Sequence, residues 1–201
     1  MTAVLVAKNV PANRIQEAFD LGCRDFGENR VQEFLGKRGA LPRDIHWHFV
    51  GHLQTNKVKS LLGEIELLHS LDRMELAGEI EKQAEKRNFT VKALLQVNTS
   101  GEATKSGFEP DQTEEVLSAL KESRRIKIEG LMTIGPLTED QETIRASFRK
   151  LRLLRDRLRE RFPEMPLKEL SMGMSLDFEI AIEEGATLLR IGTAVFGARQ
   201  E

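Results

Sequence analysis

Short apolar runs alternate with longer amphipathic patterns along almost the whole of this 201-residue chain, and that alternation limits the fold more than any other feature. Residues 3–8, "AVLVAK", read as a strand, and Pro11 opens a helix to about residue 21. "RDFGEN" is a second strand with a helix over 31–37, and "IHWHFVG" a third with a helix over 56–62. "IELLHSLD" and a helix over 73–87 follow, then "VKALLQVN" and 111–123, then "IKIEGLMTI" and 139–162. "LKELSMG" with a helix over 176–184, and a final strand "ATLLRIG", complete the series. Eight strands, each followed by a helix except the last, predict an α/β fold: a single (β/α)8 TIM-type barrel of parallel strands over 1–201. A doubly wound open sheet is the competitor, but "AKNVPAN" after the first strand holds no G-x-G-x-x-G. Neither a low-complexity linker nor a short repeat divides the chain.

In such a barrel the site lies at the carboxyl ends of the strands, and phosphate is commonly held by the loops after strands seven and eight. Here those loops read "SMGMS" and "RIGTA". The backbone N–H groups of Gly192 and Thr193 are placed to face an anion, with Ser175 opposite. Ser175 is equally well placed as a helix N-cap, and Asp177 and Glu179 would satisfy the helix dipole with no ligand present. Finding two such loops in these two places shifts the balance towards phosphate. Lys8 ends the first strand. It either snorkels to solvent or, partly desolvated at the barrel mouth, forms a Schiff base with an aldehyde. A rim lysine with phosphate loops points to pyridoxal phosphate. Arg190, two residues before Gly192, would then reach the ring nitrogen; the alternative is an arginine paired with an acidic residue inside the barrel.

Composition removes several other classes. Thirty Lys plus Arg against 32 Asp plus Glu leave a formal charge of −2, so neither a nucleic-acid stripe nor an acidic tail is expected. The basic cluster at 145–161 carries Leu at every third or fourth position and reads as a solvated helix face. A single cysteine, Cys23, excludes an internal disulfide and fits a reducing, cytoplasmic setting. With no apolar run of membrane-spanning length, no membrane partner is expected. Tyrosine is absent, which excludes any mechanism that needs a phenol.

"VAKNVP", "GENRVQE", "WHFVGHLQTNK", "VNTSGEATKSGF", "GLMTIGP", "LSMGMSLDFEIAI" and "RIGTAVFG" together resemble the pyridoxal phosphate homeostasis protein family, from Leu5 to the C-terminus. The resemblance implies the barrel of fold-type III pyridoxal phosphate proteins, similar to the N-terminal domain of alanine racemase. It implies that Lys8 is the Schiff-base lysine and that Ser175, Gly192 and Thr193 hold the phosphate. Arg190 is similar to the arginine that faces the pyridine nitrogen, and Asn29 of "GEN" lies close to the cofactor. Two departures stand out. Only Met1–Val4 precede the motif where the family usually begins with a helix, and Ala7 with Asn9–Val10 replaces a serine and a more basic pair.

Three functions compete. The first is a carrier that buffers or delivers pyridoxal 5'-phosphate in intracellular vitamin B6 homeostasis, with apo pyridoxal phosphate enzymes as candidate recipients and no catalytic residues. The second is an amino-acid racemase, which needs bases on both faces of the Cα carbanion. Alanine racemase supplies the second as a tyrosine from a separate domain, whereas this chain has no tyrosine. A cationic Arg190 would also weaken the ring as an electron sink. The third is a metal-dependent hydrolase, raised by "HWHFVGH". Only His69 remains as a further histidine, so no metal site is expected. His46 and His48 read as structural and His52 as lining the pocket rim. The carrier is the preferred reading, as a monomer.

Overall fold

The computed structural model describes residues 1–102 and 105–197. The last residues of the family resemblance, and Ala103–Thr104 within "VNTSGEATKSGF", lie outside the described residues.

Eight strands form in the predicted places: β1 Thr2–Val6, β2 Asp25–Glu28, β3 His46–Phe49, β4 Leu67–Leu71, β5 Val91–Gln96, β6 Ile126–Met132, β7 Glu169–Met174 and β8 Leu188–Ile191. All pair in parallel with their sequence neighbours. The register Thr2↔Leu188 through Leu5↔Ile191 joins β8 to β1 and closes the barrel. Each connection is a right-sized crossover for a parallel sheet. The helices are α1 Ala12–Asp20, α2 Val31–Arg38, α3 Val58–Leu61, α4 Met74–Arg87, α5 Thr113–Leu120, α6 Gln141–Arg161, α7 Phe178–Glu183 and α8 Thr193–Phe196.

Two expectations need correction. The last strand was expected to have no helix after it, yet the four-residue α8 follows β8 directly. Ser175 is not the cap of the next helix: α7 begins only after Asp177, whose carboxylate accepts the Met174 N–H. The basic cluster lies on the half-exposed and exposed face of α6, as its periodicity implies, and part of it is paired. Arg145, Arg149 and Arg152 of α6 converge on Glu184, whose side chain is only 4% exposed. Burial pushes that carboxyl up, but the arginines outweigh it and hold it below the usual carboxylate range.

The strand alternation builds two cores. Leu5, Phe26, Trp47, Phe49, Leu95 and Leu170 belong to the core shared with helix residues such as Ile15, Phe34, Leu76 and Phe148. Inside the barrel, Val4, Leu67, Leu94, Met132 and Leu188 form a separate apolar cluster.

One irregularity shapes the wall. Between the pairs Ala93↔Ile128 and Leu94↔Gly130 the register shifts, leaving Glu129 as the extra residue of a bulge. Here β6 approaches β7 so closely that a Cβ on Gly130 would stand 1.9 Å from the Glu169 carbonyl oxygen. Only glycine fits that approach without moving a strand. Gly130→Ala is expected to cost about 1–3 kcal/mol, read as a lower urea midpoint at unchanged slope.

Candidate functional site

A cavity of about 570 Å³ opens at the carboxyl ends of the strands. Asn29, Ser175, Arg190, Gly192 and Thr193 all line it, together with Val6, Val50, Ile134 and Leu137. A depression of about 600 Å³ beside Asp156, Pro163 and Lys168 lies away from both glycine loops and is assigned no role.

The two loops face one another as expected, through bonds the sequence did not disclose. Ser175 Oγ accepts the Gly192 N–H at 3.2 Å and the Ala194 N–H at 3.3 Å. With both lone pairs taken, its own O–H is left to donate. The Thr193 N–H has no partner among the described residues. Gly192 is therefore not a free donor here. The serine gathers two backbone amides and presents one hydroxyl proton in their place.

Asn29 follows β2 and leaves its buried Oδ1 without a hydrogen-bond partner among the described residues. Its backbone is held where only glycine can pass: a Cβ on Gly51 would lie 2.2 Å from the Asn29 carbonyl oxygen. Lys105 anchors the loop after β6, donating to the Gly135 carbonyl and to Glu102, both at 2.7 Å.

Lys8 is half-buried in the turn beyond β1 and is not among the residues lining the cavity, although Val6, two places earlier on the same strand face, is. Its amine makes neither a hydrogen bond nor an ion pair among the described residues. The turn is tied on both sides of it. Lys37 Nζ donates to the Ala7 carbonyl at 2.8 Å, and the Asn9 N–H, in a left-handed backbone at φ 59°, donates to Glu33 at 2.8 Å. Lys37 also meets the buried Glu28 at 2.5 Å. Burial raises the Glu28 carboxyl above its usual range, against the pull of Lys37.

Arg190 lies on β8, buried apart from the edge that lines the cavity. Burial pushes its guanidinium down to about 10, opposed by the charge of Asp177, so it remains a cation near neutrality. It pairs with no carboxylate within 4 Å among the described residues, so the expected alternative of an intrabarrel ion pair does not hold. Its Nη1 donates to Ser171 Oγ at 2.6 Å and its Nη2 to the Thr133 carbonyl at 2.7 Å. Behind Ser171 the bonds continue across the barrel. His69 Nδ1 meets Ser171 Oγ at 2.8 Å, His48 Nδ1 meets His69 Nε2 at 2.9 Å, and His48 Nε2 meets Asp25 Oδ1 at 3.1 Å. His46 reaches the same Asp25 oxygen at 3.3 Å. The histidines of β3 thus spend ring nitrogens on neighbouring strands, in keeping with a structural reading. His52 does not line the cavity; it bonds the buried Asp72 at 2.8 Å.

Asp25, Ser171, Thr133 and Lys37 escaped the sequence reading. For the strand residues one signal was present: a polar residue standing in an otherwise apolar strand, as in "ELSMGM" and "ELLHSL". Period two places such residues inside the barrel, where each needs a partner.

The model of the alanine racemase N-terminal domain family matches residues 4–200 of this closed parallel barrel. A pyridoxal phosphate homeostasis protein of Aquifex aeolicus is 52% identical over 195 residues, 96% of this chain and 85% of the relative. Its counterpart in Pseudomonas aeruginosa is 42% identical over 195 residues, covering 96% and 83%. Among solved structures, PipY of Synechococcus elongatus with pyridoxal phosphate bound superposes with a TM-score of 0.90 at 36% identity, covering 98% of this chain and 92% of that one. Alanine racemase of Clostridium difficile shares the fold, at TM-score 0.81 and 14% identity over 100% of this chain and 53% of its own. The chain belongs to the fold-type III pyridoxal phosphate homeostasis protein family.

The buried chain predicts how stability depends on pH. His69 is held well below its ordinary value by burial, then by the charges of His48 and Arg190, and it stays neutral when folded. The unfolded chain takes up that proton as the pH falls below about 6.5, so stability present above that point is lost towards acid. His69 alone contributes up to about 1.4 kcal/mol of loss per pH unit below 6. Urea unfolding at pH 7, 6 and 5 should show that slope, and His69→Gln should flatten it.

Proposed function

We propose that this protein binds pyridoxal 5'-phosphate at the carboxyl end of the barrel and buffers or delivers it in vitamin B6 homeostasis, without a catalysed reaction of its own. The observation that carries the reading is the set of uncommitted groups in one cavity: the Ser175 hydroxyl proton, the Thr193 N–H, the unpartnered Asn29 oxygen and the free edge of Arg190. These fit a small, doubly charged ligand with a polar ring. The names of the relatives and the ligand of PipY support the same choice.

Each residue has a task. Ser175 and Thr193 would grip the phosphate through neutral donors, with the Gly192 N–H held by Ser175 and so committed to shaping the loop. Arg190 would hold the ring nitrogen and, as a standing cation, disfavour its protonation. Asn29 would offer its uncommitted oxygen to the ring. When bound, the cofactor would supply an aldehyde carbon open to covalent linkage with a lysine amine. Lys8 is the residue for that linkage: its amine has no partner among the described residues, and the Lys37 and Glu33 contacts on its neighbours hold its backbone. Arg190 disfavours the electron withdrawal that racemisation needs, and there is no tyrosine to act as a second base. The reading is of one domain, acting as a monomer in a reducing cytoplasm, with apo pyridoxal phosphate enzymes as recipients.

Borohydride reduction of the loaded protein should fix a pyridoxyl mass on the peptide containing Lys8, and Lys8→Ala should abolish that label. A label on another lysine, or none, would overturn the assignment.

The phosphate grip is tested separately. Losing one hydrogen bond to a charged group costs about 1.5–3 kcal/mol, so Ser175→Ala should weaken binding roughly ten- to a hundredfold. Pyridoxal, lacking the phosphate, should bind far more weakly than pyridoxal phosphate in equilibrium dialysis, and its affinity should be insensitive to Ser175→Ala.

A further inference from the structure

We propose that Asp25, His48, His69 and Ser171 form a polarised tether for Arg190, and that a proton added to the tether reaches the cavity floor as a tautomer change in His69. None of these four residues lines the cavity, so they act through Arg190, as positioning residues.

The polarity follows from the two ends. A guanidinium can only donate, and an ionised carboxylate can only accept. With both imidazoles neutral, every bond between them must point the same way. Arg190 Nη1–H donates to Ser171 Oγ, Ser171 O–H to His69 Nδ1, His69 Nε2–H to His48 Nδ1, and His48 Nε2–H to Asp25 Oδ1. Both histidines are then Nε2–H tautomers, and no ring nitrogen lacks a partner. Aligned hydrogen bonds of this kind strengthen one another in a low dielectric.

One added proton has one place to rest. His69 and Ser171 are fully buried, while the far end reaches water: the Asp25 side chain is 27% exposed and that of His46 is 55% exposed. The proton therefore belongs on His48, whose cation is stabilised by the Asp25 carboxylate against it. His48 Nδ1 then carries a hydrogen, so His69 Nε2 must accept. The proton of His69 moves to Nδ1 and is donated to Ser171 Oγ, which now accepts from both His69 and Arg190. The count balances: His48 gains the charge, His69 stays neutral throughout, and Asp25 and Arg190 keep theirs. The Ser171 hydroxyl proton is released from His69, and Arg190 shares its acceptor. Facing His48 within hydrogen-bonding or ion-pairing distance among the described residues are Asp25 from β2 and His69 from β4; His46 on its own strand shares the Asp25 oxygen, and Arg190 of β8 lies one serine beyond.

The decisive measurement uses protein without cofactor, labelled with 15N-histidine, in long-range 1H–15N spectra from pH 8 to pH 5. At pH 8 His69 should be protonated at Nε2 and bare at Nδ1. On acidification it should exchange to the Nδ1–H form while remaining neutral, with the same midpoint as the titration of His48. His69 protonated at Nδ1 at pH 8, or switching at a midpoint unrelated to that of His48, would overturn the proposal, and neither readout needs a variant to fold. In His48→Gln the tautomer switch should be lost. A second arm rests on the pyridoxal phosphate reading: the loaded protein should show an absorbance step at the same midpoint, absent from His48→Gln. Failure to bind the cofactor would sink that reading and leave the first arm standing. A loaded protein with no step, while His69 switches, would overturn the tether's reach to the cavity.

Discussion

Arg190 carries a charge it does not surrender near neutrality, and it carries it buried in the wall of a closed barrel, at the edge of the cavity. An unpaired ion in such a place would be prohibitively costly, and the structure supplies no carboxylate within 4 Å among the described residues. The guanidinium is instead satisfied by neutral acceptors, the Ser171 hydroxyl and the Thr133 carbonyl. That choice sets much of what surrounds it. Ser171 needs a partner for its own proton, His69 provides it, and the requirement passes through His48 to Asp25 near the surface. An ion pair would have neutralised the arginine; neutral acceptors leave its positive field directed at the cavity.

The same economy runs through the rim, where the groups committed to the protein determine those left for a ligand. Ser175 takes up two backbone amides and so becomes a donor. Lys37 binds Glu28, Glu33 and the Ala7 carbonyl, drawing the nearby acidic groups away from Lys8.

The sequence by itself determined the barrel, because period-two and period-3.6 patterns are local and the eightfold alternation survives any uncertainty about boundaries. It also determined the two glycine loops and Lys8, Asn29 and Arg190 as candidates, since motif spacing and strand ends can be read along one dimension. Only the tertiary structure decided what each of these touches. Ser175 became the organiser of the Gly192 loop rather than a helix cap, because α7 begins only after Asp177 and the Ser175 hydroxyl accepts the Gly192 and Ala194 amides of the facing loop. Asp25, His48, His69, Ser171 and Arg190 are drawn from five different strands, and no local pattern links them. Their contact follows from barrel closure and register, which bring inward-facing residues up to 102 positions apart within one hydrogen bond, as for His69 and Ser171. Gly51 and Gly130 look like ordinary glycines in the sequence; the backbone approach that forbids a Cβ at each exists only once the strands are side by side.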